Sequence, residues 1–548
     1  MALEPEDVGA YTREGSTPLS WAASGGHEAV VKMLLERGDV NPNIANIYGE
    51  TPLFRASREG HEGVVRMLLE REDINPNTAD GYGETPLTGA AREGHEGVVK
   101  MLLERKDVNP DSVSDGGETP LLVATRNGHE GVVKMLLERN DVNPEGASAS
   151  GETPISIATY EGHERVVKML LERGDVNPNT ANENGQTPLH IATWDGREGI
   201  VKMLLKRGDL NPSAIDKYSQ TPLLIAAWRG SERVVKMLLE LGDINPNTVD
   251  NGQTPLSIAT SKGCEGVVKI LLEREDIKPN TANEYGQTPL LIAALNGHEG
   301  IAKMLLERGD VNPDTADEEG RTPLCGATYH GHEGIVKMFL ERGEVNPNAV
   351  DKGGQTPLFI AASKGCEGVV KILLEREDIK PNTANKNGQT PLLIAARNGH
   401  EGIVKTLLER GDVNPSSVDG SGQTPLQGAA LGGHGGVVKM LLERVDILKT
   451  TNKRGQEPRS KAAGKRRKGH QGGVKQLLEG VDVDSDMTAL TGETAPSQAL
   501  DRGHDAIAKL PSEDRNFIPP ADGAGLTTLS SPEPTGPDQR PSKRFSKF

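Results

Sequence analysis

One tripeptide, spaced with almost no slack, decides what this chain can fold into. Thr-Pro-Leu, once written Thr-Pro-Ile, begins at Thr17, Thr51, Thr85, Thr119, Thr153, Thr187, Thr221, Thr254, Thr288, Thr322, Thr356, Thr390 and Thr424. Every interval is 34 residues except one of 33. Self-similarity at such a period marks a supersecondary unit stacked on copies of itself. Aromatic residues make up only 3% of the 548 residues, and apolar residues recur in short, near-identical blocks. No single large core is expected; each unit buries one face against the next.

The unit from Gly83 to Arg105 serves as a specimen. Thr85 is suited to accept from free amides at a helix start, and Pro86 fits the first helical position because its missing N–H would be unpaired there. Leu87, Ala90 and Ala91 form a thin apolar face at helical spacing. Gly94 is expected to end the first helix in a left-handed conformation, and a second helix begins near His95. Glu96 sits at its positive end, with Lys100 placed for an i,i+4 pair, and Val98, Val99, Leu102 and Leu103 supply a buried stripe. Asp107-Val108-Asn109-Pro110-Asp111 through Gly117 reads as an exposed, hairpin-like loop.

Thr-Pro-Leu, the Gly-His-Glu joint and the projecting loop together resemble the ankyrin repeat. The resemblance covers about residues 3–510 and implies an all-α, curved ankyrin-repeat solenoid whose members generally bind proteins along a concave face. Two departures stand out. The histidine usual after Thr-Pro-Leu survives only as His190, which implies fewer hydrogen bonds between units and a less stiff stack. The loop is one residue longer, with Asn-Pro after the Asp-Val, as in the large ankyrin arrays of filamentous fungi.

The division expected is a partial repeat at 1–16, thirteen repeats over 17–448, degenerate C-terminal repeats with a basic segment at 449–510, and a disordered tail at 511–548. Residues 3–15 resemble the end of a second helix and its loop, so the chain reads as starting inside a repeat, with a first full unit that frays. Residues 261–283 and 363–385 are identical, three units apart, the mark of an internal duplication.

The formal net charge of −17 disfavours nucleic acid as a main partner. No segment is apolar enough to span a bilayer, and Met1–Asp7 has no signal-peptide character, so an intracellular chain, cytoplasmic or nuclear, is expected. The three cysteines, Cys264, Cys325 and Cys366, fall in three units, and Cys264 and Cys366 lie about 30 Å apart if units stack at the usual helix spacing of roughly 10 Å. They read as structural thiols.

Given ankyrin geometry, partner-facing positions are the loop tips and the two residues before the inter-helix glycine. Tyr48, Tyr82, Tyr218 and Tyr285 occupy loop tips. Tyr160, Trp194 with Asp195, Trp228 with Arg229, and Tyr329 with His330 occupy the second set. Aromatic residues with a polar edge anchor interfaces because they bury much area at low entropic cost. The tolerant alternative is that variable surface positions merely accept them. Around Trp194 and Trp228 the pattern loosens: Arg197 and Ser231 replace histidine, Ser219 replaces the loop glycine, and the one deletion falls before Gly252. A binding hot spot or a bend would each account for this.

Lys453-Arg454, followed after ten residues by Lys465-Arg466-Arg467-Lys468, has the spacing of a bipartite nuclear localisation signal, against the plainer reading of a solvated charged face. Asp39-x-Asn41-x-Asn43 with Glu50 mimics a calcium loop but carries Ile44 where the mid-loop glycine belongs. Arg37-Gly38-Asp39 and its copies read as repeat structure, and the histidine of Gly-His-Glu is expected to face the neighbouring loop. No metal, cofactor or catalytic constellation is read. The expectation is a monomeric, non-enzymatic scaffold or adaptor, a stack roughly 130 Å long, binding a protein or peptide partner, with no nucleic acid and no membrane. The alternative is a C-terminal regulatory or targeting arm of a larger signalling protein or enzyme.

Overall fold

Threonine followed by proline starts a helix in every unit of the computed structural model, which describes residues 14–250 and 252–443. In the specimen, Thr85 is extended at φ −90° and ψ 164°, and its hydroxyl accepts from the Thr88 N–H at 3.3 Å, with Pro86 as the first residue of the helix Pro86–Glu93. The same cap recurs from Thr17, which accepts from Ser20 at 3.1 Å, to Thr424, which accepts from Gln427 at 3.2 Å. Each such cap is worth about 1 kcal/mol. Two helices per unit follow, 26 among the described residues, and no strand is assigned among them; an isolated bridge joins Asp250 and Gln253.

Gly94 has φ +81°, and a Cβ on it would lie 2.5 Å from Nδ1 of His129 in the next unit. Both the left-handed backbone and the close approach of that imidazole require glycine. The second helix, Glu96–Glu104, buries Val98, Val99 and Leu102, while Leu103 is only half-buried. These side chains join one apolar core that runs from Leu19 to Leu441.

Glu96 does not pair with Lys100. Its carboxylate lies over Gly131 of the next unit, beside the first turn of a second helix whose free N–H groups attract an anion more strongly than a solvated ammonium does. Where arginine takes that glycine's place, Arg165 meets Glu130 at 3.2 Å and Arg233 meets Glu198 at 3.0 Å. An i,i+4 pair of the expected kind forms between Glu367 and Lys371, at 2.8 Å.

Neighbouring first helices approach one another more closely than neighbouring second helices. Alanines such as Ala90 and Ala91 allow the close approach, whereas valine and leucine hold the second helices apart. The stack therefore bends with the first helices and the loop tips on its inner side.

The residue six after the capping threonine is usually alanine, but Thr125, Thr193, Thr260 and Thr328 put a buried hydroxyl there with no hydrogen-bond partner. An orphaned buried hydroxyl costs about 1 kcal/mol or more. Replacing these four threonines with alanine is expected to raise the urea midpoint at unchanged slope. A lowered midpoint would show that the hydroxyls are bonded after all.

Residues 1–13, and with them most of the proposed partial repeat, lie outside the described residues. So do the degenerate repeats after 448, the basic residues from Lys453 to Lys468, and the tail from 511.

Candidate protein-docking surface

Three polar ties hold adjacent units in register, and together they form the platform for the inner face. The first is the recurring histidine. His95 Nε2 donates to the Arg58 carbonyl at 2.9 Å, and His61, His129, His163, His332, His400 and His434 do the same one unit back. The ring thus reaches the last turn of the preceding first helix, not the neighbouring loop as expected, because a carbonyl without an intrahelical partner is exposed there. Arg197 substitutes, reaching Tyr160 at 3.3 Å.

The second tie is the Arg-x-Asp triplet that closes the second helix. Arg139 grips Asp141 with Nε at 2.8 Å and Nη2 at 2.6 Å, while Nη1 donates to the Leu103 carbonyl of the preceding unit at 2.6 Å. The Arg-Gly-Asp copies at Arg173, Arg207, Arg308 and Arg410 are instances of this clamp, Arg37 grips Asp39 in the same way, and in each the aspartate's pKa is lowered chiefly through the guanidinium hydrogen bonds. Leu241 stands in the arginine's place in the unit that carries the deletion.

The third tie explains the longer loop. Asn43 donates from its amide to the Asp73 carbonyl at 2.6 Å and accepts from the Asn75 N–H at 3.1 Å, both in the next unit. Asn77 and Asn179 repeat the arrangement. These loop bonds offset what the lost histidines would have supplied. The surviving His190 shows that contribution directly: its Nδ1 accepts from the Thr187 N–H at 3.3 Å, so Nε2 carries the proton and donates to the Gln220 carbonyl at 3.1 Å. Burial lowers its pKa and keeps the ring neutral. The calcium-like residues are used up by such contacts: Asn41 accepts from Asn43, Asp39 is held by Arg37, and Glu50 is held by Arg58. Among the described residues no group of three metal-ligating side chains converges.

A sequence model of the family described as "Ankyrin repeats (3 copies)" matches residues 1–80, 72–146, 141–214, 176–250, 223–315, 309–385 and 377–453. The chain belongs to the ankyrin-repeat family. Ankyrin repeats are protein-binding modules, and the array is an all-helical solenoid of them. Among solved structures it is similar to the ankyrin repeat domain of Bcl-3, titled "a unique member of the IkappaB protein family". Identity is 27%, coverage 41% of this chain and 99% of that one, and the TM-score 0.38. A comparison with curated proteins finds no match. No helix among the described residues is long and apolar enough to cross a membrane.

On the ankyrin array's inner face the loop tips are stitched together. The Tyr48 carbonyl accepts from the Gly81 N–H at 2.6 Å, Tyr82 from Asp115 at 2.9 Å, and Tyr285 from Glu318 at 3.1 Å. Their side chains stay exposed, as does that of Tyr218. Ser219 beside it has φ +61° where the other loops have glycine, a conformation costing a non-glycine residue about 1–2 kcal/mol.

Trp194 and Trp228 come together as the sequence spacing implied. Their rings stack at 5.3 Å with planes 10° apart, and both remain over 40% exposed. Arg229 lies 5.5 Å from the Trp194 centroid and the Lys262 ammonium 4.6 Å from that of Trp228. Farther along, Lys364 sits 3.9 Å over Tyr329, and His330 stands edge-on to Tyr329 at 5.1 Å. Tyr160 is exposed and has no cation over it among the described residues, because Asp195 occupies the place from which Arg229 reaches Trp194.

The sequence reading missed these capping cations, and also Arg55, which lies 4.8 Å over the exposed Trp21. The signal for the first group was present: an aromatic residue before the inter-helix turn with a cation one position later in the following unit. All three such pairs fall where Ser231, Cys264 and Cys366 replace the tying histidine. Both of those cysteines, and the buried Cys325, have pKa values raised chiefly by burial, as suits inert packing thiols.

Proposed function

We propose that this chain is a non-enzymatic interaction scaffold that captures a protein or peptide on the inner face of its array, anchored at Trp194 and Trp228. The observation that supports this most is the exposed stack itself. Two tryptophans leave more than 40% of their surface in water at the middle of the array. Aromatic area that a fold leaves open on a rigid platform is what a partner's side chain gains most by covering. Asp195 and Arg229 flank the stack with opposite charges, and the tyrosines at 48, 82, 160, 218, 285 and 329 extend the same face in both directions.

A second reading is favoured by the coincidence with the missing histidines. On it, Trp194/Arg229, Trp228/Lys262 and Tyr329/Lys364 are substitute ties between units, each worth about 0.5–1 kcal/mol at such exposure. The two readings part in one experiment. Trp194→Ala with Trp228→Ala is expected to abolish capture of partners from a lysate while shifting the melting temperature little. Lost stability with unchanged capture would sink the docking reading and leave the ties.

A further inference from the structure

The inner face is electrically divided, and the division follows the aligned columns. Before the inter-helix glycine, the early units carry Glu59, Glu93, Glu161 and Asp195; from the stacked tryptophans onward the charged residues of the same column are Arg229, Lys262 and Lys364. The arginines of the early units are neutralised within the chain. Arg58 meets Glu50 at 2.7 Å, Arg126 meets Glu118 at 2.9 Å, and Arg92 lies between Glu84 and Glu118. Most later units carry glutamine in that row, as in Gln355 and Gln389; Arg321 in it is held by Asp317 at 2.8 Å, and beside the two glutamines the cations meet no carboxylate among the described residues.

The result is a cluster of four exposed cations. Lys352 and Lys386 lie at adjacent loop tips, and Lys364 and Arg397 on adjacent first helices, and none of the four forms an ion pair among the described residues. Tyr329, capped by Lys364, borders it. At helix spacing the cluster spans roughly 20 Å along the inner face, and neighbouring members on adjacent units, roughly 10 Å apart, lie near one Debye length of one another at physiological salt. Asp351, the carboxylate nearest in sequence, is turned into its own loop, accepting from the Gln355 N–H at 2.8 Å. Glu318 and Glu319 occupy the preceding loop tip and mark where the positive field ends, while the following tip, Gly420-Ser421, is uncharged.

We infer that the inner face from Tyr329 to Arg397 docks an extended, acidic peptide segment of a partner protein. This rests on the proposed scaffold function and adds the partner's chemistry. About seven extended residues cover 20 Å. Carboxylates along such a segment would meet the three ammonium groups, and one would fit the Arg397 fork. An apolar residue among them would cover the free face of Tyr329. A peptide suits the site better than a nucleic acid, because the cations form a short patch on a chain of net charge −17 and Glu318 and Glu319 would oppose a continuing phosphate backbone.

The test uses the full chain and a labelled twelve-residue probe of alternating Glu, Asp and Leu, followed by fluorescence anisotropy. Its Gln/Asn counterpart, its Lys counterpart and a twelve-nucleotide oligothymidine serve as comparisons. The acidic probe is expected to bind at least tenfold more tightly than each of these and to weaken at least tenfold between 50 and 300 mM salt. Lys364→Glu with Arg397→Glu is expected to cost at least tenfold. Lys269→Glu with Lys303→Glu, on the second helices, is expected to cost less than twofold. Equal binding of the neutral peptide or of oligothymidine, no binding of the acidic probe, or indifference to the Lys364/Arg397 reversal would overturn the inference. Those failures leave the scaffold reading standing as long as capture still depends on Trp194 and Trp228.

Discussion

Gly94→Ala is expected to cost the third and fourth units about 2–3 kcal/mol and to split a single urea transition into two. A residue with a Cβ loses roughly 1–2 kcal/mol at a left-handed φ. The new Cβ would lie 2.5 Å from Nδ1 of His129, so the ring must move away and its 2.8 Å bond to the Arg92 carbonyl goes with it, about 1 kcal/mol more. In a stack where each unit leans on its neighbours, a loss at one joint uncouples the two sides. The control is Gly174→Ala, at a clamp loop where an added Cβ meets nothing within 4 Å and φ is not left-handed, with little effect expected. Hydrogen exchange around Leu87 to Leu102 that speeds up in the first variant alone would bear this out. A single unshifted transition in both variants would refute it.

Acidification is expected to lower the stability of the whole array, because one device is repeated along it. Asp39, Asp73, Asp107, Asp141, Asp175, Asp209, Asp276, Asp310, Asp378 and Asp412 each have a pKa below the usual carboxylate value, first through hydrogen bonds from the arginine two residues earlier. A folded-state pKa depressed below the unfolded one gives stability that is fully present above the unfolded value. It is lost as pH falls through the folded value. The urea midpoint should therefore hold from pH 7 to about pH 5 and fall progressively below about pH 4. These groups are exposed, so 1 M salt should shrink the drop. Arg139→Gln with Arg173→Gln should shrink it too. A midpoint rising on acidification would contradict the assignment.

Much of the fold was legible because local rules write it. Thr85, Pro86 and Gly94 announce a cap, a first turn and a left-handed stop within ten residues of one another. Contacts to the next unit were less legible. Glu96 has a lysine at the right local spacing, yet it turns to the amides of a helix about 35 residues on. Asn43, which the sequence offered as part of a calcium-like pattern, proved to be a bridge between loops. Trp194 and Trp228 could be placed as neighbours by counting, but Arg229 and Lys262 over their faces could not. Side-chain direction across a joint depends on how closely two first helices approach, and alanines set that distance only once the stack exists. Whether the surface binds a partner is harder still, since an exposed aromatic that ties two units and one that awaits a guest obey the same physics.

Because most seams in this array are closed by the same few handshakes, whole blocks can be copied or dropped without any new surface having to be invented. The identical stretches 261–283 and 363–385 bear this out at the level of atoms: Cys264 packs on Gly230 as Cys366 packs on Gly331, and Lys262 and Lys364 each cap an aromatic ring one unit back. A gene with such interchangeable modules can lengthen or shorten its product by unequal exchange, and evolution can try out new arrangements of surface charge while the scaffold beneath stays in register.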